Sequence, residues 1–197
     1  MAVNNNSELY WSVALDSNIC NLGGIDIMDE KIYFIMDEKI YFAKVNENAI
    51  IPSKRVEDGA FDVYACFEDD YLLLDPHETK LVPTGIASAF SADYVAVIKE
   101  RGSTGTKGMG QRCGVIDSGY RGEWFIPITN HNSVALVIAK EKVAKHFEQA
   151  IVYPYEKAIA QCLMIVVPKL AICEISHKEL LKFESERGSG MLGSSGK

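Results

Sequence analysis

Three observations predict an all-β fold for this chain. Short apolar runs rich in β-branched and aromatic residues recur every 8–12 residues. Turn chemistry (Asp75-Pro76, Pro83-Thr84-Gly85, Ser118-Gly119, Asn130-His131-Asn132) separates them, and only two short stretches carry helical spacing. With 197 residues, 48% apolar and 24% charged, the chain can bury one core, and a single domain is expected.

The first segment contains a tandem repeat. Ile27-Met28-Asp29-Glu30-Lys31-Ile32-Tyr33-Phe34 is followed at once by the same eight residues, Ile35 to Phe42. One perfect duplication is not a solenoid or propeller period. The second copy runs on into the alternating Ala43-Lys44-Val45 and reads as a first strand, which leaves the first copy surplus. The folding unit is therefore expected to begin near Met36, with residues 1–35 an N-terminal extension. That extension holds five acids and one base, a net −4 of the chain's −7. Asn4-Asn5-Asn6-Ser7 at its front reads as disordered.

The strands expected next are Phe61–Phe67, Tyr71–Leu74, Lys80–Val82, Ile86–Phe90, Tyr94–Lys99 and Arg112–Ile116. They continue with Trp124–Thr129, Val134–Ala139, Ile151–Tyr153, Ala158–Val167 and Ala171–Ile175. Lys140–Gln149 reads either as a helix, through Val143, Ala144 and Phe147, or as a long surface loop. Ser176-His177-Lys178-Glu179 is a capping-box pattern that opens a short helix through Lys182. Everything after Phe183 is polar and glycine-rich, the composition of a mobile arm.

Charge and cysteine usage exclude several classes. An acidic chain lacks the basic face that a general nucleic-acid binder needs to displace phosphate counterions. Five scattered cysteines with no Cys-x-x-Cys read as buried thiols in a reducing compartment. No signal-peptide pattern or membrane-length apolar run occurs, so a cytoplasmic protein without membrane contact is expected. His77, His131, His146 and His177 show no metal-ligand spacing.

Gly114-Val115-Ile116-Asp117-Ser118-Gly119-Tyr120-Arg121-Gly122 is the most informative stretch. An apolar run enters it at Cys113 and another leaves from Trp124, so it reads as a hairpin with Asp117 and Tyr120 near its mouth. Arg101-Gly102-Ser103-Thr104-Gly105-Thr106-Lys107-Gly108 offers small residues, cations and hydroxyls for a phosphate, without the P-loop order. The tail Arg187–Gly196 repeats that chemistry around an apolar Met191-Leu192 pair. Gln161 is an amide inside a long apolar run and requires a hydrogen-bonding partner. Asp62 alternates with Phe61 and Val63, so it faces away from them.

These five elements, in this order, resemble the trimeric dUTP pyrophosphatase (dUTPase) family of phage and bacterial type, over about residues 43–196. Asp58-Gly59-Ala60-Phe61-Asp62-Val63 looks like its first motif and Arg101-Gly102-Ser103 like its second. Gly114–Gly122 matches the third in full, Lys157–Cys162 looks like the fourth and Arg187–Gly196 like the fifth. Three departures stand out. Gly102 replaces a serine, passing hydroxyl contact to Ser103. Met191-Leu192 replaces Gly-Phe, which weakens stacking of the arm on the base. Lys140–Tyr155 reads as a surface insertion in a 36-residue spacing between Gly122 and Ile159.

The resemblance implies a distorted jelly-roll-like fold with a short helix and a C-terminal arm, assembled as a homotrimer with shared active sites. It implies three segments: the extension 1–35, a β domain 36–182 and an active-site arm 183–197. It implies hydrolysis of dUTP to dUMP and pyrophosphate, which keeps uracil out of DNA and supplies dUMP for thymidylate synthesis. Asp117 would activate the water that attacks the α-phosphorus. Tyr120 would lie under the deoxyribose, and Val115, Ile116 and Gln111 would meet the uracil edge. Arg101, Gly102, Ser103, Gln161, Arg187, Ser194 and Ser195 would bind phosphates, and Leu192 would touch the base. Mg²⁺ would be the cofactor, reached by Asp62 through a water.

Three rival readings have discriminating features. A dCTP deaminase shares the fold but needs a Glu where Pro127 stands in Phe125-Ile126-Pro127-Ile128, and proline cannot move a proton. Some phage-type dUTPases engage repressor proteins, and the insertion offers a place for such a partner. A catalytically inactive structural trimer has no use for an intact Asp117 and Tyr120.

Overall fold

The computed structural model describes residues 25–28, 31–34, 39–112 and 114–190. Its strands begin with β1 (Ile25–Met28), β2 (Lys31–Phe34), β3 (Tyr41–Lys44), β4 (Phe61–Val63), β5 (Tyr71–Leu74), β6 (Thr79–Pro83) and β7 (Ile86–Ala89). They continue with β8 (Tyr94–Lys99), β9 (Met109–Gln111), β10 (Val115–Ile116), β11 (Phe125–Asn130), β12 (Leu136–Ala139), β13 (Ile151–Pro154) and β14 (Ala160–Val166). Three one-turn helices, α1 (Gly102–Gly105), α2 (Glu141–Ala144) and α3 (His177–Leu180), complete the described elements. The fold is all-β, as the strand periodicity predicts. None of the helices is long and apolar enough to cross a membrane.

The strands form small sheets in the orders β10-β8-β14-β4, β6-β11-β9, β13-β12-β5 and β3-β7, with β1 and β2 paired to each other. The two octamers adopt different pairings. Lys31–Phe34 of the first copy pairs with Ile25–Met28, whereas Tyr41-Phe42 of the second copy pairs with Ala89 and Ser88 of β7. Identical local sequence gives different ladders because the partner strand decides the pairing.

Alternation across the first sheet sorts its residues. Phe61 of β4 faces Cys162 of β14, which faces Ile98 of β8, and this line points into the core. The neighbouring line, Asp62, Gln161 and Lys99, points outward. Trp124 is fully buried, donates from Nε1 to Ser88 Oγ at 3.2 Å and meets the Phe42 ring edge-on at 5.5 Å. Asn130, also fully buried, donates from Nδ2 to the carbonyls of Leu74, Asp75 and Val134. Its Oδ1 accepts from the backbone and side-chain nitrogens of Asn132. A fully satisfied buried amide of this kind fixes three chain segments at once.

Several expectations need correction. The Gly114–Gly122 stretch is not a hairpin: β10 pairs with β8, whereas β11 pairs with β6 and β9 in another sheet. The stretch is a crossover between sheets. Of the expected strand Arg112–Ile116 only Val115–Ile116 is a strand, and the strand before it, Met109–Gln111, belongs to the other sheet. The strand expected at Phe61–Phe67 stops at Val63, and Cys66 turns away to donate its N–H to Pro83 O at 2.8 Å. Ala171–Ile175 is irregular and exposed, because no neighbouring strand offers it a ladder.

The surface insertion is also shorter than Lys140–Tyr155. Tyr153 is buried and belongs to β13, which pairs in parallel with β12, and Ile151 and Tyr155 pack against the core. A parallel pair requires a crossover, and residues 140–150 with α2 supply it. The Ser176 capping box is present as its spacing predicts. Ser176 Oγ accepts from Glu179 N at 3.2 Å, and Glu179 Oε2 accepts from Ser176 N at 3.0 Å.

Candidate active site

The outward row on the first sheet builds a polar cleft. Ser53 bridges to Asp62, Asp62 lies opposite Gln161, and Gln161 lies opposite Lys99. Directly opposed residues share a face, so a hydroxyl, a carboxylate, an amide and an ammonium stand side by side. Arg101 enters from the loop after β8. Its Nε stands 2.8 Å from Asp62 Oδ1, and its Nη2 donates to Asp62 Oδ2 at 3.1 Å. This two-point geometry suits a guanidinium and a carboxylate. The cleft has a volume of about 720 Å³, and its lining includes Lys54, Arg55, Asp58, Asp62, Arg101 and Gln161.

The loop that carries Arg101 is held from several sides. Thr104 Oγ1 accepts from Arg101 N at 2.9 Å, and Gln161 Nε2 donates to Glu100 O at 2.7 Å. Ser103 Oγ lies 3.4 Å from the Tyr153 hydroxyl, which donates to Ala158 O at 2.7 Å. A Cβ at Gly102 would meet nothing within 4 Å, so packing does not require the missing side chain there. At the cleft mouth Arg55 pairs with Asp58 and holds that exposed carboxyl below its ordinary range.

A second cluster forms on the crossover between sheets. Tyr120 N donates to Asp117 O at 3.0 Å, closing a turn that presents Asp117 to solvent. The Tyr120 hydroxyl donates to Glu123 O at 2.9 Å, which lays the ring across Gly122. A Cβ at Gly122 would stand 2.5 Å from that hydroxyl, so any other residue there would displace the Tyr120 ring. At Gly114 a Cβ would meet the backbone carbonyl oxygen of Ile98 at 2.6 Å, so glycine is required there. Val115, Ile116, Asp117, Tyr120, Glu123 and Phe125 enclose a pocket of about 200 Å³.

Within one chain these two clusters are separate. Ile116 lies opposite Ala96, and Gln161 lies opposite Lys99 on the other side of β8. The offset is three residues along the strand, roughly 10 Å, and two strand spacings of roughly 4.8 Å across.

The structure thus brings Asp62, Arg101, Gly102, Ser103 and Gln161 together, and Val115, Ile116, Asp117 and Tyr120 together. Gln111 belongs to neither cleft lining. Its backbone N–H donates to Glu100 Oε1 at 3.0 Å, and its side-chain amide is buried with neither N nor O bonded. Such an amide is costly unless a ligand satisfies it. Arg187 lies in the exposed terminal segment with Nε donating to Gly190 O at 3.3 Å. Leu192, Ser194 and Ser195 lie outside the described residues.

Sequence reasoning missed three contributors. Glu100 holds Gln111 through its backbone, and that bond lowers the Glu100 pKa. Tyr153 supports Ser103 from within the expected insertion. Arg121 bonds to carbonyls of the Asp117 turn. Its place inside the matched motif was the available signal.

The dUTPase family model matches residues 46–146. A deoxyuridine 5'-triphosphate nucleotidohydrolase of Nautilia profundicola is 32% identical over 158 residues, covering 78% of this chain and 96% of the relative. Its counterpart from Neisseria meningitidis serogroup B is 35% identical over 153 residues, with 75% and 88% covered. Among solved structures, a mutant of the Staphylococcus bacteriophage 80alpha dUTPase with dUpNHpp superposes with a TM-score of 0.65 at 18% identity. That superposition covers 81% of this chain and 99% of the phage protein. A mutant dUTPase from phage phi11, whose structure reveals coordination of a structural Mg(II) ion, superposes with a TM-score of 0.57 at 18% identity, covering 72% and 99%. With this family match and these relatives over most of its length, the chain belongs to the dUTPase family.

Proposed function

We propose that this chain hydrolyses dUTP to dUMP and pyrophosphate, with a water activated by Asp117 attacking the α-phosphorus in line. The observation that carries this reading is the Asp117 turn: a carboxylate presented at a small pocket that Tyr120 walls and Gly122 permits. A general base must be fixed within hydrogen-bond reach of the proton it takes. Tyr120 fills the space beneath the sugar and leaves none for a 2′-hydroxyl. The unbonded Gln111 amide carries both donor and acceptor groups, the complement of a uracil edge.

Arg101, Ser103 and Gln161 bind phosphate oxygens in the large cleft, and Arg101 stabilises the charge that develops as pyrophosphate leaves. The cleft offers Asp62 beside Arg101, with Glu57 and Asp58 also on its lining, a sparse carboxylate set that fits a Mg²⁺ ion bringing its own waters and phosphates. Asp62 would hold the ion through a water, and the ion would supply charge neutralisation at the phosphates.

The working unit is a homotrimer with shared sites, in which the Asp117 turn of one copy meets the Arg101 cleft of another. The separation of the clusters within one chain supports this. So does the outer face of the first sheet, where Val115, Val97 and Leu163 lie in register beside Val95 and Ile165, with Val115 64% exposed. Residues 183–197 act as the arm that closes the site, bringing Arg187, Ser194 and Ser195 to phosphates and Leu192 to the base. Residues 1–35 stand outside the folding unit 36–182. A cytoplasmic location fits a nucleotide substrate.

The test is pyrophosphate release from dUTP, dCTP, dTTP and UTP side by side with Mg²⁺. The proposal expects turnover of dUTP alone. Deamination of dCTP, or equal turnover of all four, would overturn it.

A further inference from the structure

The turn that carries Asp117 has little of its own to hold it. Its entry strand β10 is two residues long, Asp117, Gly119 and Tyr120 are exposed, Tyr120 N to Asp117 O closes it, and the Tyr120 hydroxyl ties its far end to Glu123 O. Apolar packing reaches the turn at Ile116, next to Asp117, and not at the exposed residues Asp117, Gly119 and Tyr120.

The chain a few residues on is fixed far more firmly. Trp124 N donates to Ile86 O at 2.8 Å, and Thr84 Oγ1 donates to Trp124 O at 2.6 Å. Glu123 Oε1 accepts from Gly85 N at 2.7 Å, and the Trp124 indole is buried against Ser88. Residues 84–88 thus form a rack for residues 123–124.

Besides the Tyr120–Glu123 bond, Arg121 joins the turn to that rack. Its Nη1 donates to Ser118 O at 2.5 Å and Tyr120 O at 3.1 Å, two carbonyls of the turn, and reaches Ser88 O at 3.4 Å. The side chain does not line the pocket in front of Asp117. All three contacts come from Nη1 of a permanently charged group, so the bonds to these carbonyls are charge-assisted.

We infer that Arg121 is the positioning residue for Asp117: it holds the Asp117–Tyr120 turn against β7 and acts on the reaction only through that turn. The inference rests on the proposed dUTP hydrolysis for its kinetic consequence, and on geometry alone for its structural one. A carboxylate displaced by about 1 Å loses on the order of 10²-fold in rate.

The test compares full-length wild-type protein with Arg121→Ala and Arg121→Lys. Backbone amide order parameters at Ser118 and Tyr120 are expected to fall from about 0.85 to below about 0.6 in Arg121→Ala, while Trp124 stays rigid. kcat for dUTP is expected to fall by ~10–100-fold with KM changed by less than about threefold, and Arg121→Lys to recover part of it. Unchanged order at Ser118 and Tyr120 would overturn the inference. So would a loss of order that includes Trp124, since Arg121 would then support the whole fold. If the wild-type protein released no pyrophosphate from dUTP, the functional reading would fail while the order parameters still decided the role of Arg121.

Discussion

Asp62 and Arg101 hold each other at two points, Nε to Oδ1 at 2.8 Å and Nη2 to Oδ2 at 3.1 Å, in the floor of the cleft assigned to the triphosphate. Each side chain is about a third exposed (33% and 30%), so solvent screens the pair. Its worth to folding is then at most about 1 kcal/mol. Asp62→Asn should leave the melting temperature within about 4 °C of wild type. The Mg²⁺ concentration for half-maximal turnover should rise instead. A titration of activity against Mg²⁺ checks this, and an unchanged midpoint would remove Asp62 from the metal's surroundings.

Tyr120 gives a prediction about sugar selectivity. Its ring lies over Gly122, is bonded to Glu123 O and walls the pocket. Tyr120→Ala should open space beneath the sugar and raise UTP turnover relative to dUTP. Competition between the two nucleotides in one assay measures the ratio. Full exclusion of UTP by the variant would place ribose discrimination elsewhere.

Much of the fold was legible in the sequence, and the failures have physical causes. Tyr71–Leu74 and Tyr94–Lys99 fall where their periodicity puts them, because each has apolar residues on the core face and turn residues at both ends. The hairpin at Gly114–Gly122 was misread because two apolar runs around a tight turn look alike whether the strands pair or part. Here β8 captures one and β6 and β9 the other. Tyr153 was assigned to an insertion because the spacing shows only that residues are extra, and burial decides which of them enter the core. Asp117, Tyr120, Arg101 and Gln161 were legible as residues, but their grouping into two separated clusters depends on strand register.

The duplicated octamer leads to a truncation test. β1 and β2 pair with each other, whereas the second copy supplies the strand that pairs with β7. Removing residues 1–35 should leave the melting temperature within about 2 °C and pyrophosphate release unchanged. A loss of solubility or of oligomer size would show that the extension belongs to the folding unit.

Glu100 supplies a pH dependence. The Gln111 N–H that it accepts lowers its pKa below the ordinary carboxylate value. A carboxyl with a lowered folded pKa contributes stability above its unfolded value of about 4.3 and loses it as pH falls through the folded value. The melting-temperature gap between wild type and Glu100→Gln should therefore be widest near pH 6–7. It should close as pH drops below about 4. A gap that stayed constant across that range would mean that the charge of Glu100 contributes nothing.

Attack by an Asp117-activated water at the α-phosphorus is the central claim, and the fate of the water oxygen tests it most directly. Hydrolysis of dUTP is run in water enriched in heavy oxygen, with wild type and Asp117→Asn, and both products are weighed by mass spectrometry. All of the label is expected in dUMP and none in pyrophosphate. The rate in Asp117→Asn should be lower by ~10²–10⁴-fold, because the amide keeps the shape but takes no proton. Label in pyrophosphate, or wild-type turnover by the Asp117→Asn variant, would contradict the account.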